Sequence, residues 1–367
     1  MYKKVMVLSA AAGAGHVSAA NALVSAFSGK GVQAEHIEVL KYTNALFRRA
    51  YSDLYKELCT HNPDILGWIY KTLDQPWKYR KRKLAMDLLN AGRLIRLLMK
   101  EKPDVAVCTH FLPAEILLFL KRRKALNVPV GIVITDYDAH AMWLYKDVKW
   151  YFVAHDETKA YLETLGIPPE TVYVTGIPVD PKFGEQSPKQ EVRAGLGLNE
   201  DRTTILVSAG GFGVGPVEEM VRSLQKIKTP VQIIVICGRN PELEQHLKNM
   251  QDMQHPATIV GFTAEMHKWM AASDILVGKA GGLTSSEALA SGLALVIVNP
   301  IPGQEERNSD HFLEEGVAMR CNDIPVLAYK IDGLLSNKER LLSMREAVRR
   351  FARPNAASDI VSILLKS

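Results

Sequence analysis

The sequence of 367 residues predicts an α/β protein with two successive doubly wound domains, each a parallel sheet covered by helices. Short apolar runs rich in β-branched residues alternate with amphipathic helical patterns along the whole chain. Glycine and proline interrupt this alternation between residues 176 and 202. The chain is also longer than one ordinary hydrophobic core accommodates. We therefore expect a domain boundary near residue 180.

The apolar runs define a set of strands for each predicted domain. In the first domain they are predicted at residues 4–9, 34–39, 105–109, 130–135, 150–154 and 172–175. Helices between them are predicted at 18–27, 84–100 and 158–165. In the second domain strands are predicted at 204–208, 232–237, 258–260, 275–277 and 295–298. Ligands of such sheets bind beyond the carboxyl ends of the strands, so the loops that follow the strands are the candidate site.

The composition is typical of a soluble globular protein, with 47% hydrophobic and 23% charged residues and a net charge of +5. The four cysteines form no CxxC pair, which favours a reducing compartment and argues against a disulfide framework or a zinc site. No stretch approaches the roughly 20 apolar residues of a spanning helix. We therefore expect a cytoplasmic protein whose contact with a membrane is peripheral.

Two dense basic clusters lie in the first half, at Lys78–Lys83 and Lys121–Lys124. Such clusters attract nucleic acid and anionic lipid by the same electrostatics, or simply form solvated helix faces. The stretch from Tyr42 to Tyr79 beside the first cluster is rich in aromatic residues. Amphipathic, aromatic and basic character together fit a surface that enters a bilayer interface, and an ordinary packed helical hairpin is the alternative.

The segment from residue 279 to residue 306 has the pattern of a nucleotide-sugar site. A glycine turn leads from a predicted strand into a helix near Thr284, and the free N–H groups and positive dipole end of such a helix bind anions. Gln304 and Glu305 follow the next strand, and their amide and carboxylate suit the hydroxyls of a sugar. Glu287 has two interpretations: it completes a Thr284-x-x-Glu capping box, or it accepts hydrogen bonds from ribose hydroxyls.

A further glycine loop follows the first predicted strand of each domain. In the second domain, Gly210 and Gly211 lie in a loop whose glycines allow a phosphate to approach the backbone. In the first domain, Gly13 and Gly15 do not complete a G-x-G-x-x-G fingerprint, which disfavours NAD. His16 stands at a helix N-terminus, where an imidazole resists protonation and suits a general base; a helix cap is the alternative.

Histidines and aspartates also follow the third and fourth predicted strands. His110 lies in one loop, and Asp136 and His140 lie in the next. These side chains are candidates for an acid–base pair with His16, and structural turns are the alternative. Their spacing does not require a metal ion.

Together these motifs resemble the diacylglycerol glycosyltransferases related to monogalactosyldiacylglycerol synthase and to the bacterial processive diacylglycerol glucosyltransferases. A more distant resemblance is to the N-acetylglucosaminyltransferase that makes lipid II. The matching residues, spread over essentially the whole chain, are Gly13, Gly15, His16, Thr135, Asp136, Tyr137, His140, Trp143, Gly176, Ile177, Pro178, Gly210, Gly211, Gly261, Phe262, Lys279, Ala280, Gly281, Gly282, Leu283, Thr284, Gly303, Gln304 and Glu305.

The resemblance implies a GT-B fold, in which two Rossmann-like domains face each other across a cleft. It implies an acceptor domain at residues 1–180, a UDP-sugar domain at 181–352, and a C-terminal helix at 353–367 that returns to the first domain. On the acceptor side it implies roles for Gly13, Gly15, His16, His110, Asp136, His140 and Trp143.

The resemblance also implies a role for each donor-side motif. Gly261 and Phe262 would contact the uracil, and Glu287 the ribose. Gln304 and Glu305 would contact the hexose. The diphosphate and its surroundings would involve Gly210, Gly211, Lys279, Gly281, Gly282, Leu283 and Thr284.

The expected activity is inverting transfer of a hexose from a UDP-sugar to a lipid hydroxyl, most simply that of 1,2-diacylglycerol, which gives a β-glycolipid. His16 or Asp136 would act as the base, and no metal or cofactor is expected. The expected partners are a UDP-sugar, a membrane lipid acceptor and an anionic lipid surface on the inner face of the cell membrane, without nucleic acid. The alternatives are a UDP-sugar epimerase or hydrolase, and a non-catalytic nucleotide-sugar-binding protein.

Overall fold

The structure is a computed structural model that describes residues 2–366 except 3, 12, 79, 186, 212, 214 and 252. The side chains of residues 52–56, 59–61 and 80–83 are also outside the description, so most of the predicted basic cluster Lys78–Lys83 lies outside the described residues. The chain divides into two compact units. The first comprises Met1–Pro181, Pro302–Gln304 and Asn355–Ser367, and the second Lys182–Ile301 and Glu305–Pro354.

The first unit contains a six-stranded parallel sheet in the order β2-β1-β3-β4-β5-β6. The strands are β1 Val5–Ser9, β2 Ala34–Glu38, β3 Val105–Cys108, β4 Val130–Val133, β5 Trp150–Val153 and β6 Val172–Val174. All of β1, β3, β4 and β5 is buried, which explains why these strands read as continuous apolar runs. The six predicted strands of this sheet are confirmed within a residue or two at each end.

Helices cover both faces of this sheet. They are α1 Ala14–Gly29, α2 Ala45–His61, α3 Pro63–Leu73, α4 Arg80–Asn90, α5 Gly92–Glu101, α6 Phe111–Arg122 and α7 Asp156–Thr164, followed at the C-terminus by Ala356–Lys366. The prediction of one helix over 84–100 is wrong. Ala91 leaves helical geometry at φ −99° and ψ 14°, and the carbonyl of Asn90 accepts a hydrogen bond from the N–H of Asn44.

The C-terminal helix Ala356–Lys366 belongs to the core of the first unit. Ile360, Val361 and Leu364 are fully buried in the same cluster as Phe27 of α1 and Val7 of β1. Burial of such a side chain stabilises a fold by about 1.5–3 kcal/mol. The last residues of the sequence are therefore structural parts of the first unit.

The second unit contains a parallel sheet of six strands in the order β12-β11-β10-β7-β8-β9. The strands are β7 Thr203–Ser208, β8 Val231–Ile236, β9 Ala257–Val260, β10 Ile275–Gly278, β11 Ala294–Val298 and β12 Ala318–Cys321. The first five were predicted from the sequence, whereas β12 was missed. It is four residues long and includes Arg320, so it has no apolar run to reveal it.

The helices of the second half of the chain are α8 Lys189–Gly195, α9 Val217–Leu224, α10 Pro241–Lys248, α11 Met266–Ala271, α12 Gly282–Ala290, α13 Gln304–Glu314, α14 Leu327–Ser336 and α15 Lys338–Phe351. Helix α8 falls inside the stretch whose composition resembles a linker. Its Arg193 is buried and donates hydrogen bonds to Asp274 and to the carbonyls of Ala272 and Glu200. Helix α8 is therefore part of the second unit, whereas residues 176–181 at the start of the stretch belong to the first. None of the helices in the described part of the chain is long and apolar enough to cross a membrane.

Asp274 anchors α8 beside the sheet through a group of hydrogen-bonded charges. Its carboxylate lies 2.6 Å from Arg193 Nη2 and 3.2 Å from Lys189 Nζ, and it accepts the N–H of Thr204 at 2.9 Å. Burial alone would raise the pKa of Asp274, but Lys189, the Thr204 N–H and Arg193 together hold that pKa below its usual value. The carboxylate is therefore ionised in the folded protein and stabilises it above the pKa of the unfolded chain.

We expect Asp274→Ala to lower the free energy of unfolding of the second unit by about 3 kcal/mol, because it leaves Arg193 buried without its counter-charge. The measurement is urea unfolding at pH 7, with the exposed Glu191→Ala in the same unit as control. The difference between Asp274→Ala and wild type should shrink as the pH falls below about 4, the pKa of an aspartate in the unfolded chain, and continue to shrink toward the lower pKa of the folded protein. A difference that does not change with pH would contradict an ionised Asp274.

Candidate functional site

His16 lies in the first turn of α1, directly beyond the carboxyl end of β1. Its Nδ1 is 2.8 Å from the carbonyl oxygen of Thr109, and the Thr109 hydroxyl donates to the carbonyl of His16 at 2.8 Å. The Thr135 hydroxyl is 2.9 Å from the same Nδ1. Thr109 and Thr135 follow β3 and β4, so three neighbouring strand ends fix one imidazole.

These contacts determine the protonation state of His16. A carbonyl only accepts hydrogen bonds, so Nδ1 carries the proton and Nε2 keeps its lone pair. Burial lowers the pKa of His16 to about 4, although the hydrogen bond to Thr109 acts in the opposite direction. Among the described residues, Nε2 has no hydrogen-bond partner. The ring is therefore neutral and keeps a lone pair on Nε2.

His110 and His140 have different environments, although both follow strands of the same sheet. His110 Nδ1 accepts the N–H of Leu112 at 3.0 Å and caps α6. His140 Nδ1 accepts the N–H of Met142 at 3.1 Å, and its Nε2–H donates to the carbonyl of Tyr70 at 2.9 Å. In both rings Nδ1 is the acceptor, which is the opposite arrangement to that of His16.

An aromatic group surrounds the ring of His16. The His110 ring is 4.7 Å away in an edge-to-face orientation, and the Trp143 ring is 6.3 Å from both histidine rings. Phe111 packs edge-to-face on Trp143 at 5.7 Å. The predicted residues His16, His110 and Trp143 are thus brought together, in surroundings that lower the local polarity.

Asp136 is buried in the first unit, and Gln304 donates its Nε2–H to Asp136 Oδ1 at 2.7 Å. Gln304 lies in Pro302–Gln304, the short segment that belongs to this unit. The neighbouring Gly303 has a φ of +90°, and a Cβ there would be 2.8 Å from the Tyr70 ring. Gln304, predicted from the resemblance to contact the hexose, thus has Asp136 as a partner in this structure.

The backbone at Gly13 and Gly15, the two glycines of the loop after β1, does not have the geometry of a phosphate-binding loop. Gly13 is the N-cap of α1 in extended geometry, and a Cβ there would meet nothing within 4 Å. Gly15 lies within the first turn of α1. Neither position requires glycine for a positive φ, so the sterics of this loop do not indicate a diphosphate.

In the second unit, the glycine loop after β7 is interlocked with the turn after β8. Gly210 and Gly213 have φ values of +69° and +67°, and a Cβ on Gly213 would be 2.2 Å from the carbonyl oxygen of Cys237. Gly211 accepts the N–H of Arg239 at 3.3 Å. The loop does not open a helix at Gly211, because α9 begins only at Val217. Gly210 and Gly211 therefore lie before α9, in contact with the turn after β8.

The second donor motif lies beside this loop. A Cβ on Gly215 would be 3.5 Å from Lys279 Cε and 3.9 Å from its Nζ, so the Lys279 side chain extends along the glycine loop. Helix α12 begins at Gly282 with Gly281 as its N-cap, and no side chain caps it. Buried Asn308 holds the preceding turn by donating to the carbonyl of Ala280 at 3.0 Å. The structure thus collects Lys279, Gly281 and Gly282 around one helix N-terminus.

The capping-box interpretation of Glu287 is wrong. Thr284 is the third residue of α12 and not its N-cap, so Glu287 lies a full turn further into the helix. Thr284 and Glu287 are three residues apart and half-buried, whereas Ser285 and Ser286 between them are buried. Thr284 and Glu287 therefore share the accessible side of α12.

Glu305 lies close to the same helix N-terminus. Its Oε2 accepts the N–H of Ile301 at 2.7 Å, and its Oε1 is 3.7 Å from where a Cβ on Gly281 would lie. Gly261 follows β9, and a Cβ there would be 2.2 Å from Glu244 Oε2. Phe262 is 61% exposed, with the guanidinium of Arg239 above its ring at 4.7 Å from the centroid.

Sequence reasoning missed several residues that shape these loops. Thr135 was noted only as part of a motif, whereas Asn308 and Arg239 were not considered. The run Cys237-Gly238-Arg239-Asn240 after β8 carried the one available signal, a glycine at the carboxyl end of a strand. Asn308 has no local signal, because only the fold brings it to Ala280.

Comparison with known proteins identifies the two halves of the chain. Residues 16–179 match the family described as monogalactosyldiacylglycerol (MGDG) synthase. Residues 204–360 match the glycosyltransferase family 28 C-terminal domain. The chain is 30% identical over 371 residues to a processive diacylglycerol beta-glucosyltransferase of Staphylococcus aureus strain MRSA252, which covers 99% of this chain and 93% of that protein. Its counterpart in Bacillus mycoides strain KBAB4 is 30% identical over 367 residues, with the same coverage.

Solved structures show the same fold at lower sequence identity. MurG of Acinetobacter baumannii has a TM-score of 0.66 at 19% identity and 100% coverage of both chains. The UDP-GlcNAc 2-epimerase of Neisseria meningitidis, bound to UDP-GlcNAc, has a TM-score of 0.63 at 15% identity, with 99% of this chain and 100% of that chain covered.

Two parallel Rossmann-like sheets make up the GT-B fold, and the glycosyltransferase family 28 match identifies the chain as a glycosyltransferase of this fold. The predicted fold class and enzyme class are therefore confirmed. Within this class, the chain belongs to the diacylglycerol glycosyltransferase family of monogalactosyldiacylglycerol synthase and the processive diacylglycerol beta-glucosyltransferases.

The geometry of His16 predicts an imidazole that stays neutral through the physiological range. In NMR spectra of histidine-labelled protein, the His16 ring signals should not titrate between pH 8 and pH 5.5, because burial lowers the His16 pKa to about 4. The ring shifts should report the Nδ1–H tautomer. Assignment comes from the loss of the His16 ring signals in the His16→Gln variant. Titration of His16 near pH 6.5 would contradict the burial described above.

Proposed function

We propose that this protein transfers a hexose from a UDP-sugar to the hydroxyl of a lipid, most simply 1,2-diacylglycerol, with inversion at the anomeric carbon. The family membership supports the reaction, since the relatives are named diacylglycerol beta-glucosyltransferases. The observation that carries the proposal is the state of His16, whose Nδ1–H is held by Thr109 while Nε2 keeps its lone pair. A nitrogen of this kind accepts the proton of an alcohol as that alcohol attacks.

In the proposed reaction, His16 Nε2 removes the proton of the acceptor hydroxyl as its oxygen bonds to the anomeric carbon. The bond from that carbon to the UDP oxygen breaks, and UDP leaves with the electron pair. The transition state is oxocarbenium-like, as in glycosidases. The imidazolium that forms is stabilised by the Thr109 carbonyl, which already accepts its Nδ1–H.

Asp136 is proposed to position the acceptor side of the site and not to act as the base. One carboxylate oxygen already accepts from Gln304 at 2.7 Å, and the side chain is buried. Such a carboxylate orients the side chains that donate hydrogen bonds to it. His110, His140 and Trp143 would then shape the acceptor site, with His110 and His140 fixed by their capping hydrogen bonds.

The donor is proposed to bind at the loops of the second unit. The N-terminus of α12, with free N–H groups at Gly282, Leu283 and Thr284, suits the diphosphate and stabilises the leaving UDP. Lys279 adds positive charge beside it, and Gly210 and Gly211 provide backbone that a phosphate can approach closely. Glu287 would bind the ribose, Glu305 and Gln304 the hexose, and Gly261 and Phe262 the uracil.

We expect His16→Ala to lower kcat by 10²- to 10⁴-fold at pH 7, because it removes the proton acceptor. Asp136→Asn should lower kcat less, because the amide oxygen still accepts from Gln304. The assay follows UDP release with UDP-glucose and UDP-galactose in mixed micelles of diacylglycerol, with glycolipids identified by mass spectrometry. Ser18→Ala, an exposed position two residues further along α1, serves as control.

The outcomes separate the alternatives for this chain. An unchanged kcat in His16→Ala would remove His16 from the reaction, and a larger loss in Asp136→Asn would make Asp136 the base. Release of UDP without any glycolipid would indicate a hydrolase. Conversion of the sugar while UDP remains attached would indicate an epimerase, and UDP-sugar binding without turnover a binding protein.

Helices α2, α3 and α4 of the first unit are proposed as the membrane-binding surface. Five of the ten large hydrophobic side chains that are exposed in the described chain lie there: Leu46, Ile65, Trp68, Met86 and Leu89. Trp68 is 67% and Leu89 86% exposed. Exposed leucine and tryptophan on amphipathic helices are the pattern of an interfacial anchor. Peripheral binding at the inner face of the cell membrane follows, where a UDP-sugar and a lipid acceptor meet.

A basic cavity of about 400 Å³ adjoins this surface and supports an anionic lipid as partner. It is lined by Arg48 of α2 and by Arg93 and Arg96 of α5, and none of its lining residues is acidic. The exposed Leu46 and Leu89 lie within three residues of its lining. An arginine binds a phosphate with two parallel hydrogen bonds, so a phosphate-bearing headgroup fits this charge pattern.

We expect Trp68→Ser with Leu89→Ser to weaken binding to phosphatidylglycerol vesicles at least tenfold, because two large apolar anchors are lost. The measurement is co-sedimentation with vesicles. Tyr329→Ser with Leu342→Ser removes similarly exposed side chains from the second unit and is the control. Equal losses of vesicle binding in both double variants would argue against α2, α3 and α4 as the membrane anchor.

Charge and apolar contributions are separated by a second pair of variants. Arg93→Ala with Arg96→Ala should abolish the preference for phosphatidylglycerol over phosphatidylcholine and reduce the salt dependence of binding. Arg349→Ala with Arg350→Ala, both exposed in the second unit, is the matched control. A preference that survives in Arg93→Ala with Arg96→Ala would place the anionic contact elsewhere.

A further inference from the structure

Phe262 presents an apolar ring at the carboxyl end of β9, and the neighbouring strand supplies the group that covers it. β8 and β9 pair in parallel, so the residues that follow them emerge side by side. The guanidinium of Arg239, which follows β8, lies 4.7 Å from the centre of the Phe262 ring. Phe262 nevertheless remains 61% exposed, so one flat aromatic surface and one flat cation face solvent together.

The backbone of Arg239 is fixed even though its side chain is exposed. Its N–H donates to the carbonyl of Gly211, and the Asn240 amide donates to the carbonyl of Gly213 at 2.9 Å. Gly238 has a φ of +60°, and a Cβ there would be 2.5 Å from the carbonyl oxygen of Gly210. The turn after β8 is thus locked against the glycine loop proposed for the diphosphate.

Arg239 has no carboxylate partner among the residues that the structure describes. Glu244 of α10 pairs with Lys248 at 2.6 Å and lies against Gly261. Arginine commonly forms ion pairs at surfaces, so a guanidinium placed instead on an aromatic face indicates a stacking function. The flexible side chain has room to lift from the ring, because it is exposed.

We propose that Arg239 and Phe262 are the two walls of a nucleobase slot, in which the base inserts between the guanidinium plane and the aromatic ring. The inference rests on the proposed function, since it identifies a residue for the nucleoside part of the same donor. The guanidinium covers the ring while the slot is empty and stacks on the outer face of the base when it is filled. Guanidinium planes and aromatic rings both stack on bases.

The test is a binding comparison of uridine, UDP and inorganic pyrophosphate by calorimetry, with wild type, Arg239→Ala, Arg239→Lys and Phe262→Leu. Arg239→Ala should weaken the binding of uridine and of UDP by the same factor, about fivefold to tenfold, and leave the affinity for pyrophosphate unchanged. Arg239→Lys should lose nearly as much affinity for uridine and UDP, because an ammonium group is charged but has no planar surface to stack on a base. Exposed Arg349→Ala is the control, and thermal unfolding verifies that each variant is folded.

Three results would overturn the slot. If Arg239→Ala weakens the binding of UDP and pyrophosphate but not that of uridine, Arg239 binds phosphate. If Arg239→Lys behaves as wild type, only its charge matters. If no variant changes uridine binding while wild type binds it, Arg239 and Phe262 do not hold the base. Failure of wild type to bind uridine or UDP at all is a different outcome, because it refutes the proposed donor site itself.

Discussion

Burial of parallel strands on both faces is the constraint on which both units depend. Strands such as β1 and β8 are buried along their whole length, so their polar chemistry is confined to the loops at their ends. Because all strands within a sheet point the same way, those loops gather at one edge together with the N-termini of the following helices. His16 and the N-terminus of α12 both occupy such an edge within their own unit.

Hydrogen bonding then gives different roles to identical side chains at one edge. His16, His110 and His140 all follow strands of the first sheet, yet Nδ1 donates in His16 and accepts in the other two. A carbonyl at Thr109 and backbone N–H groups at Leu112 and Met142 determine the difference. His16, the imidazole that caps no helix, keeps the lone pair on its second nitrogen.

The second unit shows a different use of its edge, in which glycines let two loops interlock. Gly213 and Gly238 each sit so close to the other loop that a methyl group would collide with a carbonyl oxygen. This close approach leaves little freedom in the backbone next to the proposed diphosphate site, so less ordering remains to be done when a donor binds. It also places Arg239 between that loop and Phe262.

The sequence by itself determined the fold class, eleven strands and the family, since apolar runs between glycine loops are local patterns. It did not reveal β12, whose half-polar residues carry no run, or the break at Ala91, where a hydrogen bond from distant Asn44 contributes. Only the tertiary structure decided that Glu287 is no capping residue, that His16 carries its proton on Nδ1, and that Arg239 covers Phe262. Each of these depends on partners brought together by strand pairing, and sequence separation carries no information about such contacts.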